Sequence, residues 1–406
     1  MSPHGYLRII LVLHCSCKSV GETSTIMHTS KTENLEDEVS LVQLKMATQP
    51  HRSETGVADD SHTSKQQKQS AQEDYWPQPR GGPSHYSRTP HGLPQEVLQG
   101  GDLTGHLAWK WEHPKGLDTF VWGTLIDKDK NIYIIVDHGL YKLNPDGEVL
   151  WQREDITGSM MGALSGNALC AMQMGTAMMN CVDTSSGKTL WNRTVAEAAG
   201  GQGDMVTSNN GVVVAAVGAV DLGFVAGGIA AERAIGLNAS NGDELWTYKP
   251  DCAFWNIMGL FPDEDTVIVM DSCGGLYRLG LYNGSELWKR APDRDAFTDG
   301  GATLGPDGSI YTCTDEPGSL TMILENGNMD GIKGRVRKFK LGTGEMVWET
   351  PTAHACLNFP AISPDGKTMV LADGENVISP ATLYLTGGMS RKAIDKFYKL
   401  QQQWLE

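Results

Sequence analysis

Short runs of Val, Ile, Leu and Tyr recur along this chain, and each is bounded by Gly, Pro, Asn or Asp. The clearest set is Asn131-Ile-Tyr-Ile-Ile-Val136, then Gly139-Leu-Tyr-Lys-Leu143, then Glu148-Val-Leu-Trp151 after the turn Asn144-Pro-Asp-Gly147. β-Branched and aromatic residues in brief runs, punctuated this way, predict strands joined by tight hairpins. The turns have a mechanism. In Gly305-Pro-Asp-Gly308, Pro presets φ for the first central position, and Asp and Gly tolerate the conformations that follow.

One strand in each set closes on the same spacing, Gly-x-x-x-Trp. It occurs at Gly105–Trp109, Gly147–Trp151, Gly187–Trp191, Gly242–Trp246, Gly284–Trp288 and Gly344–Trp348. The tryptophans follow one another at 42, 40, 55, 42 and 60 residues, so the period is near 40 and two units carry insertions. A period of about 40 with four strands per unit predicts the blades of a propeller. The expected fold is all-β: a single propeller of about six four-stranded blades, with strands A to D running outward from the axis. Seven or eight blades is the alternative.

Five complete units end at Trp151, Trp191, Trp246, Trp288 and Trp348. A sixth begins with Phe359-Pro-Ala-Ile-Ser-Pro-Asp-Gly366 and Met369-Val-Leu-Ala372 but has no Gly-x-x-x-Trp of its own. Gly105–Trp109 is a closing strand with no blade before it. It is expected to complete the last unit and pair the ring shut, which would remove an open sheet edge.

Residues 1–72 are rich in Ser, Thr, Gln, Glu and Lys and poor in aromatics, a composition expected to be disordered. The propeller then spans 73–387. Residues 388–406 place Ile394, Phe397, Leu400 and Trp404 at helical spacing and predict a short amphipathic helix. Within residues 1–20, Ile9–Leu13 has the character of a signal-peptide core, but Arg8 adjoins it and no small-residue cleavage site stands out. Secretion and a cytoplasmic location both stay open.

Charge narrows the partners. The formal net charge is −16, and phosphate-backbone affinity rests on Lys and Arg, so a nucleic-acid binder is excluded and a basic protein or peptide partner is expected. No apolar run is long enough for a membrane-spanning helix, and a monomer is expected. There is no Gly-x-Ser-x-Gly elbow, His-Glu-x-x-His or phosphate loop. Asp127-Lys-Asp-Lys-Asn131 starts like a calcium loop but lacks the later Gly and Glu, so it reads as a turn between strands A and B.

With Tyr141-Lys-Leu143, Tyr277-Arg-Leu279 and the closing tryptophans in view, the units resemble the pyrroloquinoline-quinone-type (PQQ-like) propeller repeat. That repeat belongs to the quinoprotein alcohol dehydrogenase-like superfamily, within the wider WD40/YVTN-like architecture. Trp76-Pro-Gln-Pro-Arg80-Gly81 resembles the lead-in of such chains. The resemblance implies that the repeated Trp packs between neighbouring blades. It also offers two functions. Quinoprotein dehydrogenases hold PQQ over a Ca²⁺ bound by Glu, Asn and Asp, with a disulfide between adjacent cysteines; this chain has no Cys-Cys pair. The other branch, similar to a bacterial outer-membrane assembly scaffold, binds partners without chemistry. The expected function is a noncatalytic interaction scaffold with no cofactor, and a divergent PQQ- and Ca²⁺-dependent oxidoreductase is the alternative.

In a propeller the D-to-A and B-to-C connections share one face, where binding is expected. The candidates on it are Asp118, Asp155, Asp251, Asp295 and His354 as a rim, and Trp122, Trp255 and Phe359 towards the axis. Both insertions, Gly218–Arg233 and Asp315–Lys333, fall in B-to-C connections. Long loops gathered on one face mark a binding surface.

Of the cysteines, six lie in the propeller. If Gly175-Thr176 is a two-residue turn, Cys170 faces Cys181 across the hairpin. Cys252 begins strand A and Cys273 ends strand B of one blade, and Cys313 and Cys356 hold matching places in the next two, which suggests the pairs 252 with 273 and 313 with 356. Disulfides and reduced buried thiols both remain open, and no Cys-x-x-Cys spacing points to zinc. Sequons stand at Asn192-Arg-Thr194, Asn238-Ala-Ser240 and Asn283-Gly-Ser285. The methionines around residues 160–179 read as adaptable core filler rather than a Cu(I) site.

Overall fold

The computed structural model describes residues 40–45, 74–83, 109–116, 121–136, 138–157, 162–173, 176–197, 206–221, 229–255, 259–293, 295–298, 301–319, 321–322, 331–356 and 359–373. Residues 105–108 and the helix expected at 388–406 lie outside them.

Six antiparallel sheets follow one another as the blades of a propeller. An early strand, β1 (Ser40–Lys45), belongs to the last of them. Blade 1 comprises β2 (Val121–Ile126), β3 (Ile132–Val136), β4 (Gly139–Leu143) and β5 (Val149–Arg153). Blade 2 comprises β6 (Ala163–Ser165), β7 (Ala168–Gln173), β8 (Met178–Asp183) and β9 (Thr189–Thr194). Blade 3 has β10 (Thr207–Asn209) and β11 (Val212–Val217), then a side hairpin of β12 (Val220–Asp221) and β13 (Ile229–Ala230), then β14 (Arg233–Asn238) and β15 (Glu244–Tyr248).

Blade 4 has β16 (Thr266–Met270), β17 (Leu276–Gly280) and β18 (Glu286–Arg290), and a single bridge from Leu260 to Ile268 stands in for its innermost strand. Blade 5 comprises β19 (Thr303–Leu304), β20 (Ser309–Asp315), β21 (Gly334–Lys340) and β22 (Met346–Pro351). Blade 6 comprises β23 (Ala361–Ile362) and β24 (Thr368–Asp373), with β1 hydrogen-bonded beyond β24.

Burial orders the strands from the axis outward. β3 and β4 are buried on both faces because neighbouring blades cover them, whereas β5 is largely exposed. The core therefore lies in layers between blades. Tyr133, Ile135 and Leu140 of blade 1 pack on Leu164, Leu169 and Val182 of blade 2. Equivalent layers join blades 2 and 3, 3 and 4, 4 and 5, and 5 and 6.

Five of the six closing tryptophans donate to the next blade. Trp109 donates its indole N–H to Pro145 O at 2.9 Å, Trp151 to Thr184 O at 3.1 Å, Trp191 to Ala239 O at 2.8 Å, Trp246 to Leu281 O at 2.7 Å and Trp288 to Leu341 O at 3.0 Å. The rings lie on Gly147, Gly187, Gly242, Gly284 and Gly344, all at positive φ. The repeated Gly thus meets two demands: a left-handed turn and room for a flat ring. Trp348 lies against Tyr311, with ring centroids 6.1 Å apart, and packs on the layer between blades 5 and 6.

The closing strand differs from the expectation. The strand paired with β24 is Ser40–Lys45, inside the segment read as a disordered tail, in the register Val42 with Leu371 and Leu44 with Met369. It takes the third position of blade 6. Trp109 carries no strand pairing among the described residues, yet its indole occupies the place of a preceding blade's Trp on blade 1. Residues 1–72 are therefore not uniformly without structure: the apolar positions 41, 42 and 44 fall in a stretch that β24 can accept.

Candidate binding face

A strap of residues 74–83 crosses the innermost strands. Trp76 exchanges backbone hydrogen bonds with Ile126 of blade 1 at 2.9 Å, and Leu164 N of blade 2 donates to Pro77 O at 2.7 Å. Ser208 N of blade 3 donates to Gln78 Oε1 at 2.8 Å, and Phe261 N of blade 4 donates to Pro83 O at 2.9 Å. The Arg80 guanidinium lies 4.3 Å from the centroid of Phe359, which leads into blade 6. The strap turns tightly at Gln78–Gly81, where Gly81 N donates to Gln78 O at 3.0 Å, and isolated hydrogen bonds pin it to four blades. Because Asp74 accepts from Lys128 N in the A-to-B turn of blade 1 at 2.8 Å, the strap covers the axis on the A-to-B side. That turn is the expected one: Asp127 Oδ1 accepts from Asp129 N at 2.9 Å and Asn131 N at 2.8 Å.

The opposite face carries the D-to-A and B-to-C connections. Its centre is apolar: Ala230, Trp255, Phe297, Ile332 and Ala355 are buried together, with Met322 against them. Trp255, Phe297 and Ala355 come from three successive D-to-A connections. Ala230 comes from one insertion, and Met322 and Ile332 come from the other. The insertions are also tied by hydrogen bonds: Ala231 pairs with Phe254 at 2.9 Å, Gly318 N donates to Asp295 O at 2.8 Å, and Thr321 N and Oγ1 both donate to Asp295 Oδ1 at 2.8 Å. Two insertions distant in sequence thus rest on one shared base.

The candidate rim residues have local duties. Asp155 takes Arg153 through two hydrogen bonds of 2.8 and 2.6 Å, and Asp251 takes Lys289 at 3.3 Å. Asp295 is held at φ 70° by the Thr321 contacts. His354 is exposed, and its carbonyl accepts from Thr352 Oγ1 at 2.6 Å. Trp255 is buried against Phe297, and Phe359 is buried beneath Arg80. Asp118 and the Trp122 side chain lie outside the described residues.

Three disulfides join Cys170 to Cys181, Cys252 to Cys273, and Cys313 to Cys356. The first bridges β7 and β8 in direct register. The second lies beside Asp271, whose ligand-capable oxygen comes within 4.8 Å of both sulfurs. Asp271 accepts from Tyr277 Oη at 2.6 Å and from the N–H groups of Gly275 at 2.7 Å, Cys273 at 3.0 Å and Cys252 at 3.2 Å. Burial raises its carboxyl above the ordinary value, and those hydrogen bonds offset part of that rise. With both sulfurs joined and the carboxylate accepting four hydrogen bonds, this group locks a D-to-A connection to a B-to-C turn.

Asp315 escaped the sequence reading except as an insertion boundary. It ends β20 fully buried; Oδ1 accepts from Cys356 N at 2.8 Å, and Oδ2 has no partner among the described residues. Burial pushes its carboxyl up to about 7. Ser319, also fully buried, leaves Oγ unpartnered among the described residues. The one available signal was a carboxylate following Cys313 at the end of a β-branched strand.

The family described as outer membrane protein assembly factor BamB matches residues 136–302. No curated protein matches the chain. Among solved structures, BamB from Moraxella catarrhalis is 17% identical with a TM-score of 0.38, covering 63% of this chain and 70% of that one. Hsv2 from Kluyveromyces lactis is 11% identical with a TM-score of 0.42, covering 63% and 72%. A quinohemoprotein alcohol dehydrogenase from Comamonas testosteroni is 12% identical with a TM-score of 0.37, covering 62% of each chain. Likeness at this level says nothing of activity.

Calcium seeks six to eight oxygen ligands. Among the described residues, the metal-capable cluster is instead two sulfurs and a carboxylate, and the centre of the face is filled by Trp255 and Phe297. The described residues therefore do not fit a Ca²⁺-held quinone.

Proposed function

We propose that this propeller is a noncatalytic scaffold that binds a protein or peptide through the face carrying its two insertions. The observation behind this reading is the shared apolar base of Ala230, Trp255, Phe297, Ile332 and Ala355. It anchors the described ends of both insertions on one base, and preorganisation of this kind lowers the cost of binding. The strap lies on the A-to-B side, so it does not cover the face that carries the insertions. A formal charge of −16 favours a basic partner through electrostatic steering.

The test replaces residues 222–228 with a short Gly linker in the full chain and repeats chemical crosslinking with a partner captured by the unaltered protein. Loss of the crosslink with an unchanged near-UV spectrum supports the reading. Retention of the crosslink removes the insertion from the binding surface.

A divergent quinoprotein-type oxidoreductase is the second reading; Asp315 favours it, and the absence of a Ca²⁺ ligand set among the described residues counts against it. A buried carboxyl with one unpartnered oxygen and a near-neutral pKa has the character of a proton acceptor. Dye reduction by the purified chain with an alcohol, PQQ and Ca²⁺, abolished by Asp315→Asn, would support this reading over the first. No dye reduction, and no thermal shift on adding PQQ and Ca²⁺, would leave the scaffold.

A further inference from the structure

We infer that this chain matures in an oxidising, glycosylating compartment and carries N-linked glycans on Asn192 and Asn283. The first support is the cysteines. All six in the propeller are paired in three disulfides, and Cys170, Cys181, Cys313 and Cys356 are wholly buried. Each bridge forms as two thiols give two protons and two electrons to an oxidising disulfide carrier, itself reduced to a dithiol. Stable sets of this kind persist where thiols are not kept reduced.

The second support is independent of the first. Asn192 lies on β9, the outermost strand of blade 2, and Asn283 lies in the C-to-D turn of blade 4; both are exposed. Each begins an Asn-x-Ser/Thr sequon, Asn192-Arg-Thr194 and Asn283-Gly-Ser285. The Asn192 side chain makes no hydrogen bond among the described residues. Asn283 Oδ1 accepts from Ser285 N at 3.0 Å and Ser285 Oγ at 2.9 Å, contacts that engage the amide oxygen and not Nδ2. Asn238 is half-buried beside Ala239, whose carbonyl takes the Trp191 indole, and it is outside the assignment.

The donor is an oligosaccharide on a lipid diphosphate. Asn Nδ2 bonds to the anomeric carbon, the bond from that carbon to the phosphate oxygen breaks, the lipid diphosphate leaves with its oxygen, and the amide gives one proton to a base of the transferase. The glycans would stand where the fold is most exposed to misassociation. Leu150, Leu190, Leu245, Leu287 and Val347, each just before a repeat Trp, are exposed along the outer strands. Leu190 shares a strand side with Asn192. Bulky polar groups there would shield apolar edge strands from pairing with another chain.

The test uses the full chain isolated from its native cells. Free thiols are blocked, the unreduced protein is digested, and the peptides are treated with peptide N-glycosidase in ¹⁸O-labelled water. Positions 192 and 283 should return as ¹⁸O-labelled Asp, and the six cysteines as three linked peptide pairs. Asn192→Gln and Asn283→Gln, and separately Thr194→Val and Ser285→Ala, should each remove one glycan step on a gel. Unlabelled Asn at either position, or a blocked thiol at any of the six cysteines, would overturn the inference.

Discussion

Gly242 of blade 3 lies beneath the indole of Trp191 of blade 2: a Cβ built on it would fall 2.5 Å from Trp191 Cε3. With the hydrogen bond from that indole to Ala239 O, this contact is the unit that the chain repeats to link one blade to the next.

Gly242→Ala should therefore destabilise twice over. The residue sits at φ +75°, which costs an L-residue about 1–2 kcal/mol, and the added methyl overpacks the ring for about another 1–3 kcal/mol. Gly308 is the control. It also has positive φ, +71°, but nothing lies within 4 Å of its built Cβ, so Gly308→Ala should show the conformational cost alone. Urea unfolding of both variants checks the difference, and equal losses would contradict it.

The disulfides should rank by the chain they enclose. Cys170 and Cys181 are 11 residues apart, and Cys313 and Cys356 are 43 apart. Constraint of the unfolded chain predicts losses of about 3 and about 4 kcal/mol when each pair is replaced by Ala. Unfolding with the other two bridges intact measures both. A larger loss from the shorter loop would show that native packing, not loop closure, sets the order.

Stability should fall as pH rises through the range of Asp315. Its folded-state pKa, about 7, lies above the ordinary 3.8, so the folded chain holds the proton more tightly than the unfolded chain does. That contribution is complete below the unfolded value and lost as pH rises through the folded one, at up to about 1.4 kcal/mol per pH unit. Asp315→Asn keeps the shape and removes the titration. Its unfolding free energy should vary less with pH and exceed that of the unaltered chain at pH values above the folded pKa. Parallel profiles would remove Asp315 as the cause.

The strap gives a further prediction. Gln78→Ala leaves the buried Ser208 N–H without its acceptor, a loss of about 1–3 kcal/mol. Hydrogen exchange at Ser208 should accelerate while exchange at distant β20 stays slow; unchanged Ser208 exchange would mean that the strap does not hold the axis.

What could be read from the sequence follows from periodicity. The indoles and glycines recur at fixed spacing, so the blades and their order were legible, and one turn placed Cys170 opposite Cys181. The strand at Ser40–Lys45 was not legible, because its few apolar residues sit in polar surroundings and its partner lies more than three hundred residues away. The strap was visible as a lead-in at Trp76–Gly81, but its course was not, because it has no periodicity and touches four separate blades through isolated bonds. The rim acids were visible, but their local pairing with Arg153, Lys289 and Thr321 was not. Charge alone does not reveal which carboxylates a fold has already engaged.

Indole hydrogen exchange tests the blade-to-blade account most directly. Trp109, Trp151, Trp191, Trp246 and Trp288 each donate N–H to a carbonyl of the next blade. Assigned through single Trp→Phe variants, these five resonances should exchange slowly and speed up together as the ring opens. Rapid, unrelated exchange among them would contradict the account.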